Sequence, residues 1–300
     1  MDVSVIIVNY NTISLLVDAV DSVFEKTEGI KYEIIVVDNA SSDNSKNILA
    51  DKYGDKIIYL ALSENIGFGR ANNEAVKIAN GRNLFFLNPD TILLNNAVKI
   101  LSDYLDDNPR VGCCGGNLFD ADGNPAYSFG RIVGLSIFSE INELFLKIPE
   151  KIIYGKNVFY NYKNKPMRVG YITGADLMIR KKLFTKLDGF DPDFFMYYEE
   201  SELEYRVSKA GYEISSIPYA QIVHLEGKSF PVKIDSFIMM WSSRKIFLRK
   251  TCNSMKIFVI NKIFVIRITI FLFVVILLQN KEKINLWLKM YRIVNFSKYK

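Results

Sequence analysis

Val3-Ser4-Val5-Ile6-Ile7-Val8-Asn9, a helical stretch over 13–24, and Glu33-Ile34-Ile35-Val36-Val37-Asp38-Asn39 decide the fold class. The first segment is a continuous, β-branched apolar run, the pattern of a strand buried on both faces. Residues 13–24 change period: Leu15, Leu16, Ala19, Val20, Val23 and Phe24 share one helical face. The next run restores the strand pattern and stops at Asp38-Asn39. A strand, a helix and a strand in this order predict a right-handed βαβ unit with parallel strands.

The pattern continues outward. Ser41, Ser42 and Asp43 supply cap chemistry for a helix running to about Lys52. Strands are expected at Ile57–Leu60, Leu84–Leu87 and Val111–Gly115. Helices are expected at Gly69–Ala79 and around Ala97, Val98, Leu101, Tyr104 and Leu105. The predicted class is α/β, a mainly parallel sheet flanked by helices. Asp120 to Pro125 reads as a turn, and residues 126–167 show no clear period and are taken as a substrate-side excursion. Order returns with strands at Val169–Thr173 and Leu177–Ile179, a helix from about Glu199 to Ala210, and short strands at Glu213–Ile217 and Ala220–His224. The expected division is a catalytic domain over 1–235 and a helical tail over 236–300. Within the domain, 1–115 is the donor half and 116–235 the acceptor half.

In such sheets ligands gather beyond the carboxyl ends of the strands. That selects Asn9 to Asn11, Asp38-Asn39, Glu64 to Gly67, and Asn88-Pro89-Asp90. Asp38 is suited to hydrogen bonds from a base or ribose, or to a plain helix cap; with caps available at 41–43, it is left for a ligand. Asp90 ends a buried run, where a carboxylate needs a partner or a cation. Mg²⁺ and Mn²⁺ take oxygen ligands and bridge to phosphates, and His224, the single histidine, is placed to join such a site. Glu199, Glu200 and Glu202 open a helix, as macrodipole decoration or with one of them as a general base. Neighbouring helical positions diverge by about 100°, so one of Glu199 and Glu200 faces the site while the other holds the framework. Asn65-Ile66-Gly67-Phe68-Gly69-Arg70 lacks a third glycine and follows the third strand, so it is a poor dinucleotide fingerprint. Its glycines are read as a tight turn with close backbone approach.

Taken in order, these segments resemble the family 2 inverting glycosyltransferases of GT-A fold, and most closely their rhamnosyltransferase-like branch. The resemblance covers roughly residues 1–230. It implies donor-nucleotide contacts at Asn9, Asn11, Asp38, Asn65, Gly67 and Asn88, and a metal role for Asp90 and His224. Asn88 stands where the family's Asp-x-Asp has its first carboxylate. Thr173-Gly174-Ala175 is similar to the family's acceptor-side strand start, and Gly189 to Leu203 to its acceptor helix. Where the family has Glu-Asp this chain has Glu199-Glu200, which implies Glu200 as the base and Glu199 as an acceptor-side residue. The implied reaction is one in-line displacement of a nucleotide-diphosphate sugar by a glycan or lipid-linked acceptor in bacterial surface polysaccharide synthesis, assisted by a divalent cation. A sugar nucleotidyltransferase would want a Gly-rich basic loop where this chain has Asn9-Tyr10-Asn11-Thr12. A non-catalytic protein that keeps the fold is the other alternative.

Composition bounds the setting. With 17 Tyr and 21 Phe, and 24% charged residues, a sizeable core is available and a disordered chain is excluded. Cys113, Cys114 and Cys252 show no CxxC spacing, and Met1-Asp2 runs straight into the first strand without a leader pattern. Both predict a reduced, cytoplasmic setting. Charge is split: residues 241–300 carry a net +12 and the rest −7. Ile268–Leu278 is an uncharged run of 11 residues, against about 20 for a span. Ile284, Trp287, Leu288, Tyr291 and Val294 share a helical face beside basic positions. The tail is expected to lie on an anionic membrane surface at the cytoplasmic face of the inner membrane, with a true span or internal packing as alternatives. Nucleic acid is excluded as a partner, since so apolar a run has no role in a phosphate groove.

Overall fold

The computed structural model describes residues 1–130, 158–225 and 233–277, with 288, 289 and 291. A sheet runs in the order β3 (Ile58–Ala61), β2 (Tyr32–Asp38), β1 (Val3–Asn9), β4 (Asn83–Leu87), β10 (Asp176–Arg180), β6 (Val111–Phe119), β11 (Glu213–His224), β5 (Thr91–Leu93), with β8 (Met167–Arg168) pairing β11. Its first half is the parallel unit the sequence predicts: β1 (Val3–Asn9), β2 (Tyr32–Asp38), β3 (Ile58–Ala61) and β4 (Asn83–Leu87). Every residue of β1 is buried, because helices cover both faces. On one face α1 (Ile13–Lys26) and α4 (Ala97–Asp107) pack Leu16, Val20, Val98 and Leu101 onto Val5, Ile7 and Phe85. On the other, α3 (Phe68–Ile78), α5 (Lys181–Lys186) and α6 (Glu199–Lys209) bring Ala71, Ala75, Phe184 and Leu203 against Ile6, Ile35 and Phe86.

The second half departs from simple βαβ succession. β6 (Val111–Phe119) does not lie beside β4; β10 (Asp176–Arg180) runs antiparallel between them. Strand β5 (Thr91–Leu93), which follows Asn88-Pro89-Asp90 directly, has three residues and is too short to show a period. β11 is one strand, Glu213–His224, rather than the two expected. It is bulged between Ser216 and Gln221, and Pro218, which has no N–H to give a ladder, falls inside the bulge. The remaining pairings are short: β8 (Met167–Arg168) on β11, and β7 (Phe129–Gly130) with β9 (Tyr171–Ile172). Residues 131–157 of the excursion lie outside the described residues. Its two ends meet, with Ser128 N donating to the Phe159 carbonyl at 2.8 Å.

The cap assignment needs correcting. Helix α2 (Ser45–Tyr53) starts after Asn44 in the left-handed region, with no side-chain cap. Asp43 instead accepts from Ile13 N at 3.0 Å and so caps α1, while Ser41 Oγ accepts from Asn11 N and from the Asn9 amide. Asp38 is already part of this network: it receives Asn9 Nδ2, Ser41 N and the Tyr59 hydroxyl, which leaves about one of a carboxylate's roughly four acceptor sites for a ligand.

The tail contains α7 (Lys233–Thr251) and α8 (Ser254–Leu277). They are joined by the Trp241 and Phe264 rings, stacked at 4.5 Å, with the Arg244 guanidinium against both. Trp241, Phe247, Leu248, Ile260 and Ile268 are buried, whereas Met255, Phe258, Phe273 and Ile276 are exposed. Among the described residues no helix is long and apolar enough to cross a membrane. Ile284, Trp287 and Val294 lie outside the described residues.

Candidate active site

Strand register brings the selected ends together. Asn9 pairs with Asp38 and Asp38 with Ala61, so the first three strands finish level. Asp176 pairs with Leu87, which sets Thr173-Gly174-Ala175 beside Asn88-Pro89-Asp90; Asn88 N donates to the Ala175 carbonyl at 3.0 Å. His224 pairs with Thr91 across β11 and β5, and its Nε2 stands 3.3 Å from Asp90 Oδ1. Three strands separated in sequence thus deliver Asp90, His224 and Gly174 to one edge.

The donor-side residues divide by accessibility. Asn9 is fully buried; its amide donates to Asp38, Ser41 and Ser45, and its oxygen accepts from Thr12. It therefore ties the β1 and β2 ends to each other. Asn11 is exposed, with positive φ, and accepts from Ser42 N at 2.8 Å. Asp38 closes the floor of this corner. Burial, then its hydrogen bond to Asp38, pushes the Tyr59 hydroxyl pKa up, so Tyr59 stays a donor to that carboxylate. Asn65 accepts from Asn39 Nδ2 and Gly67 N.

Gly67 turns toward the acceptor side. Its φ is +89°, and a Cβ there would stand 2.3 Å from the Phe195 carbonyl oxygen. Phe68 N donates to that same oxygen at 3.0 Å, and Asn73 exchanges two hydrogen bonds with the Phe190 backbone. The close approach expected of the Gly67-Phe68-Gly69 turn is thus an approach to the segment that precedes α6.

Helix α6 carries the paired acids, and they point apart. A Cβ on Gly69 would lie 3.4 Å from the Glu199 Cβ, so Glu199 sits against α3 and is buried. Glu200 is half-buried and lies over Gly174, whose added Cβ would meet its Cγ at 3.5 Å and Cδ at 3.6 Å. Burial pushes both carboxyls up, and for Glu199 the neighbouring Glu200 adds to this. Thr173 donates its N–H to the Ser128 carbonyl, and its hydroxyl has no hydrogen-bond partner among the described residues.

Sequence reasoning missed three groups here. Glu204, one turn along from Glu200, is fully buried and accepts from Ile172 N at 2.7 Å. Asp176 is fully buried and accepts from Gly116 N at 2.5 Å. Burial raises both carboxyls well above the ordinary range, which favours the protonated form. Tyr171 shares a 2.7 Å hydrogen bond with Tyr127 and is raised by burial first, then by that partner and the charge of Glu200. The one sequence signal was an acid inside each hydrophobic pattern, Asp176 opening a strand and Glu204 beside Leu203.

A divalent cation fits the Asp90–His224 pair. Neighbouring ligands on an octahedral ion with bonds of 2.0–2.1 Å are about 3 Å apart, close to the 3.3 Å observed. A carboxylate oxygen and an imidazole nitrogen are also a suitable donor set for Mn²⁺. No group of three or more His, Cys, Asp or Glu that could hold a metal occurs among the described residues.

The sequence profile described as Glycosyl transferase family 2 matches residues 4–188, more than half of the chain. The chain belongs to that family. Two curated relatives are rhamnosyltransferases. The N-acetylglucosaminyl-diphospho-decaprenol L-rhamnosyltransferase of Mycobacterium tuberculosis is 24% identical over 210 residues, 65% of this chain and 67% of the relative. The rhamnosyltransferase WbbL of Escherichia coli is 29% identical over 205 residues, 64% of this chain and 72% of the relative. Among solved structures, GalNAc-T7 with UDP, GalNAc and Mn²⁺ superposes with a TM-score of 0.57 at 20% identity, covering 76% of this chain and 45% of that one. The fold is therefore GT-A and the chain a glycosyltransferase, which removes the nucleotidyltransferase alternative.

Proposed function

We propose that this glycosyltransferase moves a sugar, with L-rhamnose the leading choice, from a nucleoside-diphosphate donor to a hydroxyl of a glycan or lipid-linked acceptor, with inversion. The observation that carries this reading is the Glu200 carboxyl lying over Gly174, at the sheet edge where Asp90 and His224 meet. The names of the two relatives support the sugar and, for the mycobacterial protein, a lipid-linked acceptor.

Asp38, with Asn11 and Asn65 around it, receives the nucleoside. Asn88 and the Asp90 carboxylate face the diphosphate. Asp90 and His224 would hold Mg²⁺ or Mn²⁺, which would neutralise the charge that grows on the leaving diphosphate. Glu200 takes the proton from the acceptor hydroxyl as that oxygen attacks the anomeric carbon from the opposite face. Its burial makes it a stronger base than an exposed carboxylate, once ionised. Thr173 and Gly174 line the acceptor's approach, and Glu199 fixes α6 against α3.

The same reading sets the tail on the anionic cytoplasmic leaflet of the plasma membrane. Exposed Met255, Phe258 and Phe273 on α8 support it, as do Lys262 and Arg267 against the Phe258 and Phe271 rings.

The test is release of nucleoside diphosphate from a panel of UDP-, GDP- and dTDP-sugars, with octyl N-acetylglucosaminide as a soluble acceptor. Glu200→Gln is expected to depress turnover by about a hundredfold or more while donor binding survives. A larger fall with Glu199→Gln and near-normal turnover with Glu200→Gln would exchange the two roles. Absence of turnover with every donor would favour the non-catalytic reading.

A further inference from the structure

The segment from Asp191 to Tyr198 leads straight into Glu199 and Glu200. Tyr197 and Tyr198 have φ of 71° and 69°, a conformation that bulky side chains adopt only when their surroundings impose it. One side of those surroundings is α3, through Gly67 and the Phe68 N–H on Phe195. The other side is α7, from the tail. Lys250 Nζ stands 2.7 Å from a carboxylate oxygen of Asp191 and 2.7 Å from one of Asp193. Ser243 Oγ donates to the Met196 carbonyl at 2.7 Å. The buried Phe247 ring lies 5.3 Å from Tyr198 and 6.5 Å from Tyr205.

We infer that α7 belongs to the catalytic unit, with Lys250 and Ser243 as positioning residues that hold the 191–198 segment, and through it the Glu200 carboxylate, against Gly174. A lone surface ion pair contributes little, but this ammonium gathers two carboxylates at the start of a strained segment. The charges agree. Burial raises the Asp191 carboxyl, yet Lys250 and the Asp193 N–H outweigh it and hold the group below its ordinary value; the same two carboxylates raise Lys250. The inference rests on Glu200 as the base. It gives the tail a role in turnover that is independent of any membrane.

The experiment uses the full chain without vesicles, octyl N-acetylglucosaminide, and the donor selected by the release assay. Lys250→Met should lower kcat about tenfold or more, since a shift of about 1 Å in a catalytic group costs on the order of a hundredfold. Donor KM should hold, Lys250→Arg should recover most of the rate, and Ser243→Ala should lower kcat in the same direction. Arg249→Met removes one adjacent, exposed charge and should leave kcat unchanged. Amide hydrogen exchange over 195–200, which needs no substrate, should speed up in Lys250→Met. Unchanged kcat and exchange in Lys250→Met, or an equal loss in Arg249→Met, would overturn the inference. If Lys250→Met does not fold, Ser243→Ala decides on the same two readouts. An inactive Glu200→Gln beside a normal Lys250→Met sinks the clamp alone; an active Glu200→Gln sinks the base assignment and the clamp with it.

Discussion

Replacing Gly67 with Ala perturbs the joint between the donor half and the acceptor helix. The backbone there has φ +89° and ψ 164°, a region that is essentially glycine-only and costs about 1–3 kcal/mol for other residues. The new methyl would sit 2.3 Å from the Phe195 oxygen, where ordinary contact starts above 3.4 Å, so the segment must retreat by about 1 Å. That strains the Phe68 N–H bond to Phe195, worth about 0.5–1.5 kcal/mol. Together the loss is about 1.5–4.5 kcal/mol, to be read as a fall in the urea midpoint with an unchanged slope. Because the displaced segment runs into Glu199-Glu200, turnover should fall by on the order of a hundredfold. Donor affinity, measured by titration with the nucleoside diphosphate, should change little. Stability within about 0.5 kcal/mol of wild type, the range of an ordinary surface change, together with normal turnover would refute the packing role. Loss of donor affinity alone would return Gly67 to the nucleotide.

Three further outcomes are expected. Glu204 has a raised pKa in the fold, so its contribution to stability is present below its unfolded value near pH 4.3 and is lost as pH rises toward its folded value. Glu204→Gln should therefore gain on wild type between pH 4.5 and pH 8 in urea midpoints; a gap that does not widen with pH would argue that Glu204 is ionised in the fold. EDTA should abolish turnover and weaken nucleoside-diphosphate binding, with Mn²⁺ restoring both in wild type but not in Asp90→Asn or His224→Ala. Unchanged affinity in EDTA would remove the metal assignment. A chain ending at Asn253, between α7 and α8, should stop sedimenting with phosphatidylserine vesicles yet still turn over the soluble acceptor; continued sedimentation would move the anchor elsewhere.

The donor half was legible because β1, β4 and most of β2 are buried on both faces and α1 and α4 on one, so periodicity separates them. Val3–Asn9 and Leu16, Val20 and Val23 are the plainest case. The acceptor half was harder. β7, β8 and β9 are two residues long, too short to show alternation, and they exist through their pairing partners, as does the three-residue β5 of the donor half. Insertion of β10 between β4 and β6 is a tertiary event with no local signature. The cap on α1 was misassigned because Asp43 reaches a helix thirty positions earlier, while nearest-helix logic gave it to α2. Paired acids at 199–200 were visible, but their division into a packed Glu199 and a Glu200 over Gly174 needed α3 and β10 in place. Lys250 read as one more basic residue of a cationic tail until Asp191 and Asp193 came beside it.

The meeting of Ser128 with Phe159 has a consequence for how such a chain diversifies. With the two ends of the excursion already hydrogen-bonded at the rim of the small β7–β9 sheet, whatever chain runs between them closes a loop whose entrance is fixed. Each doubling of such a loop costs only about 0.6 kcal/mol. A change in the length of chain between these two anchors therefore costs little in closure, while Ser128 and Phe159 keep their hydrogen bond beside the sheet.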